Sequence, residues 1–174
     1  MRFVALLRGV NVGGNNLVKM ADLKRAFEAA GFADVATVLA SGNVLFSAPK
    51  GSHEARIEKA LSKAFGYEAR VVVRSEAQMR RTVQRAPKGW PRAGSRCYVV
   101  FTKAPLTPAK VLRAAPPRDG VDTAATCPGA VHYETRMDAR TRSGLQKLLV
   151  VSEYKLATIR NFATCRKILD RMEA

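Results

Sequence analysis

Apolar runs and amphipathic stretches alternate along the chain, separated by glycine, proline and polar residues. Residues 2–8 are apolar on both faces until Arg8, which is typical of a strand in the centre of a sheet. Apolar side chains at helical spacing follow, and Gly31 ends that pattern. The first part of the chain therefore predicts a strand at 2–8, a helix at 20–30, strands at 35–40 and 43–47 joined by a tight turn at Ser41-Gly42, a helix between Ser52 and Gly66, and a strand at 68–74.

The rest of the chain nearly repeats this order of elements. Ser75 and Gln78 have capping-box spacing for a helix that runs to about Arg85. Thr107-Pro108 has the residue types of an N-cap and a first helical position. The elements predicted after residue 95 are a strand at 96–103, a short helix from Pro108, strands at 121–127 and 130–136 around Pro128-Gly129, and helices near 144–151 and 158–172.

The order βαββαβ is that of the split βαβ, or ferredoxin-like, unit. Its near repetition predicts an α+β protein with two ferredoxin-like subdomains, which indicates a distant duplication. We assign residues 1–74 to an N-terminal ferredoxin-like subdomain, residues 75–95 to a helix and a Pro/Gly-rich connection, and residues 96–174 to a C-terminal α+β subdomain with two terminal helices.

The loop after the first strand is the first candidate for a binding site. Its glycines allow a ligand to approach the main chain, and its asparagines add amide donors. Because the first and third strands of such a unit are antiparallel neighbours, we expect the loop to lie beside the turn at 41–43. This mixture suits a phosphate, a carboxylate or a nucleotide edge, while the alternative is a turn network in which side chains cap their own backbone. The candidate ligand-binding residues are Arg8, Gly9, Asn11, Gly13, Gly14, Asn15, Ser41, Gly42 and Asn43.

The formal charge of +16 is unevenly distributed. Residues 70–118 contain 12 basic side chains and only Glu76 as an acid, for a net charge of +11. Such a field attracts polyanions, although the excess of 19 Arg over 11 Lys and the abundant alanine would also follow from a GC-rich genome. Trp90, between two cations, either stacks on a base or covers the seam between subdomains. The candidate nucleic-acid-binding residues are Arg81, Arg85, Lys88, Trp90 and Arg92, the first three being on one helical face if the helix extends that far.

Few residues are available for catalysis. The P-loop and dinucleotide fingerprints are absent, as are a Gly-x-Ser-x-Gly elbow and metal-spaced clusters. His53 is expected to cap a helix, and His132, on a strand, to be packed or exposed. We therefore predict no metal and no cofactor and favour binding over catalysis, with an enzyme that uses only Arg, Asn and Ser as the alternative.

We also predict a cytoplasmic protein with no membrane segment. No apolar run approaches the roughly 20 residues that span a bilayer, and the N-terminus lacks the pattern of a signal peptide. The three cysteines are odd in number and far apart, which argues against disulfides and a zinc knuckle. They are expected to be reduced packing thiols.

Four segments have a distinctive sequence: Leu7-Arg-Gly-Val-Asn-Val-Gly-Gly, Lys19-Met-Ala-Asp-Leu, Ser41-Gly-Asn-Val-Leu-Phe46 and Thr158-Ile-Arg-Asn-Phe162. They resemble the bacterial domain-of-unknown-function family 1697. The resemblance runs nearly end to end. It implies a cytoplasmic α+β protein with two ferredoxin-like subdomains and no assigned activity. It also adds Arg160 and Asn161 to the candidate ligand-binding residues. The family's C-terminal motif resembles Thr-Arg-Asn-Trp-Asn-Thr, whereas Phe162 and Ala163 stand here, so a contact made by the second asparagine would be missing.

The last predicted helix would begin at Thr158, with Arg160 and Asn161 in its first turn. A cation is slightly unfavourable there, so Arg160 would either hold a carboxylate or phosphate or form a salt bridge to an acid such as Asp138.

Three hypotheses for function follow. The preferred one is an anion-binding protein with nucleic acid across residues 70–118 and a phosphate at the Arg8–Asn16 loop. The second is a protein or enzyme that binds a small phosphorylated metabolite or nucleotide at that loop. The third is a protein-interaction domain in which Trp90 and a sheet edge meet a partner.

Overall fold

The computed structural model describes residues 1–10 and 17–174. Within these residues, the first half of the chain contains four strands and three helices. They are β1 (Arg2–Leu7), α1 (Met20–Ala29), β2 (Ala33–Thr37), β3 (Asn43–Ser47), α2 (Glu54–Phe65), β4 (Val71–Ser75) and α3 (Glu76–Gln84).

These strands form one antiparallel sheet in the order β2-β3-β1-β4. The position of β1 between β3 and β4 explains why it is apolar on both faces. Leu23 and Phe27 of α1 and Ile57 and Leu61 of α2 are buried in the core on one side of the sheet. Gly66 ends α2 in the left-handed conformation, as the pattern predicted.

The second half forms a second antiparallel sheet with the equivalent order, β6-β7-β5-β8. Its elements are β5 (Ser95–Thr102), α4 (Pro108–Ala114), β6 (Asp122–Cys127), β7 (Ala130–Arg136), three 3₁₀ segments (Met137–Arg142, Gly144–Val150 and Ser152–Leu156), β8 (Ala157–Asn161) and α5 (Phe162–Glu173). The 3₁₀ segments occupy the place in chain order that α2 has in the first half. The predicted α+β class with two similar subdomains is confirmed.

Two predicted elements near the C-terminus were wrong. The segment expected to be a helix near 144–151 is 3₁₀. The last helix begins at Phe162 rather than Thr158, because residues 157–161 form β8 and pair with the edge of β5. Thr158 and Ile159 are β-branched and fit a strand better than a first helical turn.

Local capping signals were more reliable. The Ser75 amide donates to Gln78 Oε1 (2.8 Å), and the Gln78 amide donates to Ser75 Oγ (3.3 Å), so the predicted capping box is present. Thr107 Oγ1 accepts a hydrogen bond from the Lys110 amide at the start of α4. The predicted cap at Ser52 is off by one residue, since His53 is the N-cap of α2.

The chain divides into two compact units. The first contains Met1–Met79 and Lys167–Ala174, and the second contains Arg80–Arg166. Cys97, Cys127 and Cys165 are buried, and none of the three forms a disulfide. Within the described residues, the helices are too short or too polar to cross a membrane.

Candidate functional site

The end of β1 and the turn before β3 lie side by side in the first unit. Leu6 is the register partner of Asn43, and the Leu7 amide donates to the Gly42 carbonyl (2.8 Å). Arg8 follows directly, and its amide donates to the carbonyl of Arg70 (3.0 Å). Arg8 and the 41–43 turn are therefore neighbours at one end of the two inner strands of the sheet.

Asn43 holds this turn closed. Its side chain is fully buried, and Nδ2 donates to the Val38 carbonyl (2.9 Å) and to Ser41 Oγ (3.0 Å). The Asn43 side-chain nitrogen therefore takes part in a turn network in which side chains cap their own backbone, the alternative to a ligand site that the sequence left open.

Gly42 is required for the same close approach. It has a φ of +69°, and a Cβ there would lie 3.0 Å from Leu7 Cβ and 3.3 Å from Val10 Cβ. Gly9, also at a φ of 69°, and Ser41 are exposed. The candidate residues Asn11, Gly13, Gly14 and Asn15 lie outside the described residues.

Arg160 and Asn161 lie on β8 in the second unit, not in a helical turn. Arg160 Nη1 donates to Thr158 Oγ1 (2.8 Å) and to the Ile159 carbonyl (2.9 Å). Burial lowers the pKa of Arg160 to about 10, so it remains a cation at neutral pH. The acid proposed as its partner, Asp138, pairs with Arg136 instead.

The basic segment after α3 is exposed but does not form one helical face. Arg81 lies on α3, and the Arg85 amide still donates to the Arg81 carbonyl (3.1 Å). The helix ends at Gln84, so Lys88 lies beyond it, and the condition under which the three residues would share one helical face is not met. Among the residues described here, the side chains of Arg81, Arg85 and Lys88 have no carboxylate partner.

Trp90 packs inside the second unit. Its ring meets His132 and Phe162 edge-on, with centroid distances of 5.5 and 5.4 Å. Its indole N–H donates to Glu134 Oε2 (3.2 Å), which also lies 3.6 Å from an Arg92 nitrogen. Trp90 therefore already has the aromatic and polar contacts that a stacked base would otherwise supply.

Both histidines are structural. His53 occupies the N-cap position of α2, but its side chain does not make the capping hydrogen bond that was expected. Its ring packs edge-on against Phe3, and its Nε2 donates to the Pro49 carbonyl. His132 is fully buried and donates from Nε2 to the Thr82 carbonyl (2.8 Å). Burial lowers the pKa of His132, which keeps the ring neutral.

Asp122 organises a polar cluster that the sequence pattern did not reveal. Its Oδ1 accepts hydrogen bonds from the hydroxyls of Thr135 (2.8 Å) and Ser143 (2.7 Å). Its Oδ2 accepts from the Gly144 amide (2.8 Å) and the Arg118 amide (3.1 Å). Burial opposes ionisation, but these hydrogen bonds outweigh it and lower the pKa of Asp122. The donors come from three segments, at Arg118, Thr135 and Ser143-Gly144, and two of these segments lie 13 or more residues from Asp122, which is why no local pattern identifies the cluster.

Comparison with known proteins extends these observations. A family model described as "Protein of unknown function (DUF1697)" matches residues 1–133. The chain belongs to this family. The expected family membership is therefore confirmed, and no curated protein matches the chain.

One solved structure supports the fold of this DUF1697 protein. A conserved bacterial protein, SP0830 from Streptococcus pneumoniae, matches with a TM-score of 0.84 and 22% identity over 98% of both chains. That likeness concerns the fold alone. A structure described as an unknown protein from Galdieria sulphuraria matches with a TM-score of only 0.26 and 15% identity, over 92% of this chain and 95% of that one. In the described part of the DUF1697 chain, no group of three or more His, Cys, Asp or Glu residues is placed to hold a metal ion.

Proposed function

We propose that this DUF1697 protein binds a polyanion, preferably nucleic acid, through the second unit. The supporting observation is its charge. Residues 80–166 contain 17 basic and 5 acidic side chains, a net charge of +12 out of the +16 of the chain. Two of those five acids, Asp122 and Glu134, are buried and hydrogen-bonded. The surface of the second unit therefore carries a larger excess of basic over acidic side chains than the unit's composition indicates.

Exposed, unpaired cations supply the contacts in this proposal. Arg81, Arg85 and Lys88 are exposed, and release of counterions when they approach phosphates drives binding. Arg92 contributes less, because Glu134 lies close to its guanidinium.

The expected mode is contact with the phosphate backbone rather than with bases. Trp90, the single tryptophan, is held by Glu134, His132 and Phe162, which disfavours base stacking. Binding without stacking or base-edge contacts is independent of sequence and strongly dependent on salt.

The test measures binding of nuclease-treated protein to labelled single-stranded RNA and duplex DNA across a salt series. Contact with about five phosphates on duplex DNA predicts a log–log slope of about −4.5. The double variant R81E/R85E is expected to weaken binding by more than about tenfold at low salt and to reduce the magnitude of the slope by about 2.

The matched control is K59E/K63E. Lys59 and Lys63 are exposed on α2 in the first unit, have the same i, i+4 spacing, and give the same change in net charge. Absence of binding at low salt, or an equal loss in the control, would contradict the proposal. Loss of nucleic-acid binding in Arg8→Ala with no effect of R81E/R85E would also contradict the proposal, because it would put the phosphate contact at Arg8 in the first unit.

A further inference from the structure

A groove of about 480 Å³ opens on one face of the second sheet, and all of its lining residues belong to the second unit. Arg96 and Tyr98 of β5 lie on this face, because alternate residues of a strand point the same way. Thr135, the register partner of Arg96, lies beside them on β7. The opposite wall is the 3₁₀ region from Arg140 to Leu149.

Comparison of the two sheets shows why the groove exists. In the first unit, the core face of β1 is formed by the buried residues Phe3, Ala5 and Leu7 under the 12-residue helix α2. In the second unit, short 3₁₀ segments replace that helix, and the corresponding face of β5 ends in the half-buried Tyr98 and the exposed Arg96. One end of the sheet face therefore stays open.

The geometry points to this groove as a binding site for a small organic anion, a carboxylate or phosphate attached to an apolar body. Arg96 and Arg140 both line it, and within the described chain neither guanidinium has a carboxylate at ion-pair distance. Guanidinium groups bind carboxylates and phosphates through paired hydrogen bonds. Two such groups on one groove are matched to an anion.

The walls and floor define the rest of the ligand. Leu145, Leu149 and Ile159 make an apolar wall, and Leu149 is 51% exposed although it is a large hydrophobic residue. On the floor, the hydroxyls of Thr135 and Ser143 already donate their protons to Asp122. These two hydroxyls can therefore only accept hydrogen bonds from a ligand, so a ligand group that reaches the floor must be a donor. The anionic end of the ligand must instead be held by the arginines.

The size and composition of the groove agree with this assignment. Small-molecule sites have volumes of roughly 300–1,000 Å³ and combine apolar walls with a few convergent polar groups. The Asp122 cluster fixes the floor, so the site is preformed. Asn161, the register partner of Tyr98, is exposed on the same face, which places one residue of the family motif at the edge of the groove. This groove is separate from the exposed cations Arg81, Arg85 and Lys88, because it is concave and lined by different side chains.

The probe for this site is 8-anilinonaphthalene-1-sulfonate, an aromatic sulfonate whose fluorescence rises in apolar surroundings. R96Q/R140Q is expected to weaken its binding by about tenfold or more, because hydrogen bonds to charged groups contribute about that factor. Thr141→Trp, which adds a large side chain at an exposed lining position, is expected to displace the probe without removing charge. The control K147Q/R166Q makes the same change in charge at exposed positions of this unit outside the groove.

Competition identifies the chemistry of the ligand. Phenylacetate and phenyl phosphate are expected to displace the probe, and the stronger of the two shows whether a carboxylate or a phosphate is preferred. Inorganic phosphate and benzyl alcohol, which lack the apolar body and the charge respectively, are expected to compete poorly. The assignment is overturned if R96Q/R140Q and K147Q/R166Q weaken probe binding equally, or if Thr141→Trp leaves it unchanged. Thermal unfolding of each variant verifies that the unit is folded.

Discussion

Replacement of Asp122 by asparagine tests whether the buried carboxylate holds the second unit together. The side chains are nearly isosteric, but the new NH₂ group faces donors in either orientation. In the better orientation, the amide oxygen still accepts from the backbone amides of Gly144 and Arg118. The NH₂ group then faces the hydroxyls of Thr135 and Ser143, which in the wild type donate to Asp122 Oδ1 at 2.8 and 2.7 Å. Two charge-assisted hydrogen bonds are replaced by weaker ones, so we expect a loss of about 2–4 kcal/mol in the free energy of unfolding.

The assay is urea unfolding followed by tryptophan fluorescence, because the single tryptophan, Trp90, lies in the second unit. Asp119→Asn is the control, since Asp119 is an exposed carboxylate in the adjoining segment. The folded pKa of Asp122 lies below the unfolded value of about 3.9, so its contribution is present above that pH and is lost as the pH falls through the folded pKa. The difference between the wild type and Asp122→Asn should therefore shrink in acid. A destabilisation of under about 0.5 kcal/mol at pH 7, the range of ordinary surface substitutions, would refute the reasoning.

Two further predictions concern single residues of the second unit. The folded pKa of His132 is depressed by burial, so its neutral form contributes stability above about pH 6.5 that is lost as the pH falls toward the folded pKa. The urea midpoint of the wild type should fall between pH 7.5 and pH 5.5, and it should fall less in His132→Gln. An equal fall in both proteins would contradict this prediction. Gly144→Ala places a Cβ 2.0 Å from the Pro116 carbonyl oxygen and should cost about 3 kcal/mol or more. The control Gly51→Ala, where a Cβ meets nothing closer than 3.9 Å, should unfold like the wild type. Similar urea midpoints for the two variants would contradict the prediction and show that the loop near Pro116 moves to accommodate the Cβ.

Elements governed by neighbouring residues could be predicted from the sequence. The capping box of Ser75 and Gln78 and the N-cap at Thr107 need only residues three positions apart. Strand β1 could be placed in the centre of a sheet because its two faces are both apolar. The adjacency of Arg8 and the 41–43 turn followed from strand order, and the register of β1 with β3 agrees with it.

The predictions that were wrong depend on partners distant in sequence. Residues 157–161 form a strand because β5 offers a free edge, which no local pattern encodes. His53 has the position of a cap but packs on Phe3, 50 residues earlier in the chain. The groove residue Arg140 belongs to a 3₁₀ segment with no periodicity to reveal it. Burial of Asp122 likewise depends on donors from other segments.

The discontinuity of the first unit separates the order of synthesis from the order of folding. In many chains an N-terminal domain completes its folding while later residues are still being made. Here the first unit includes Lys167–Ala174, which are synthesised only after all of Arg80–Arg166. A nascent chain that has completed the second unit still lacks part of the first. Residues 1–79 are therefore synthesised before the segment Lys167–Ala174 that belongs to the same unit, so this unit reaches its full set of contacts only after the second unit has been made.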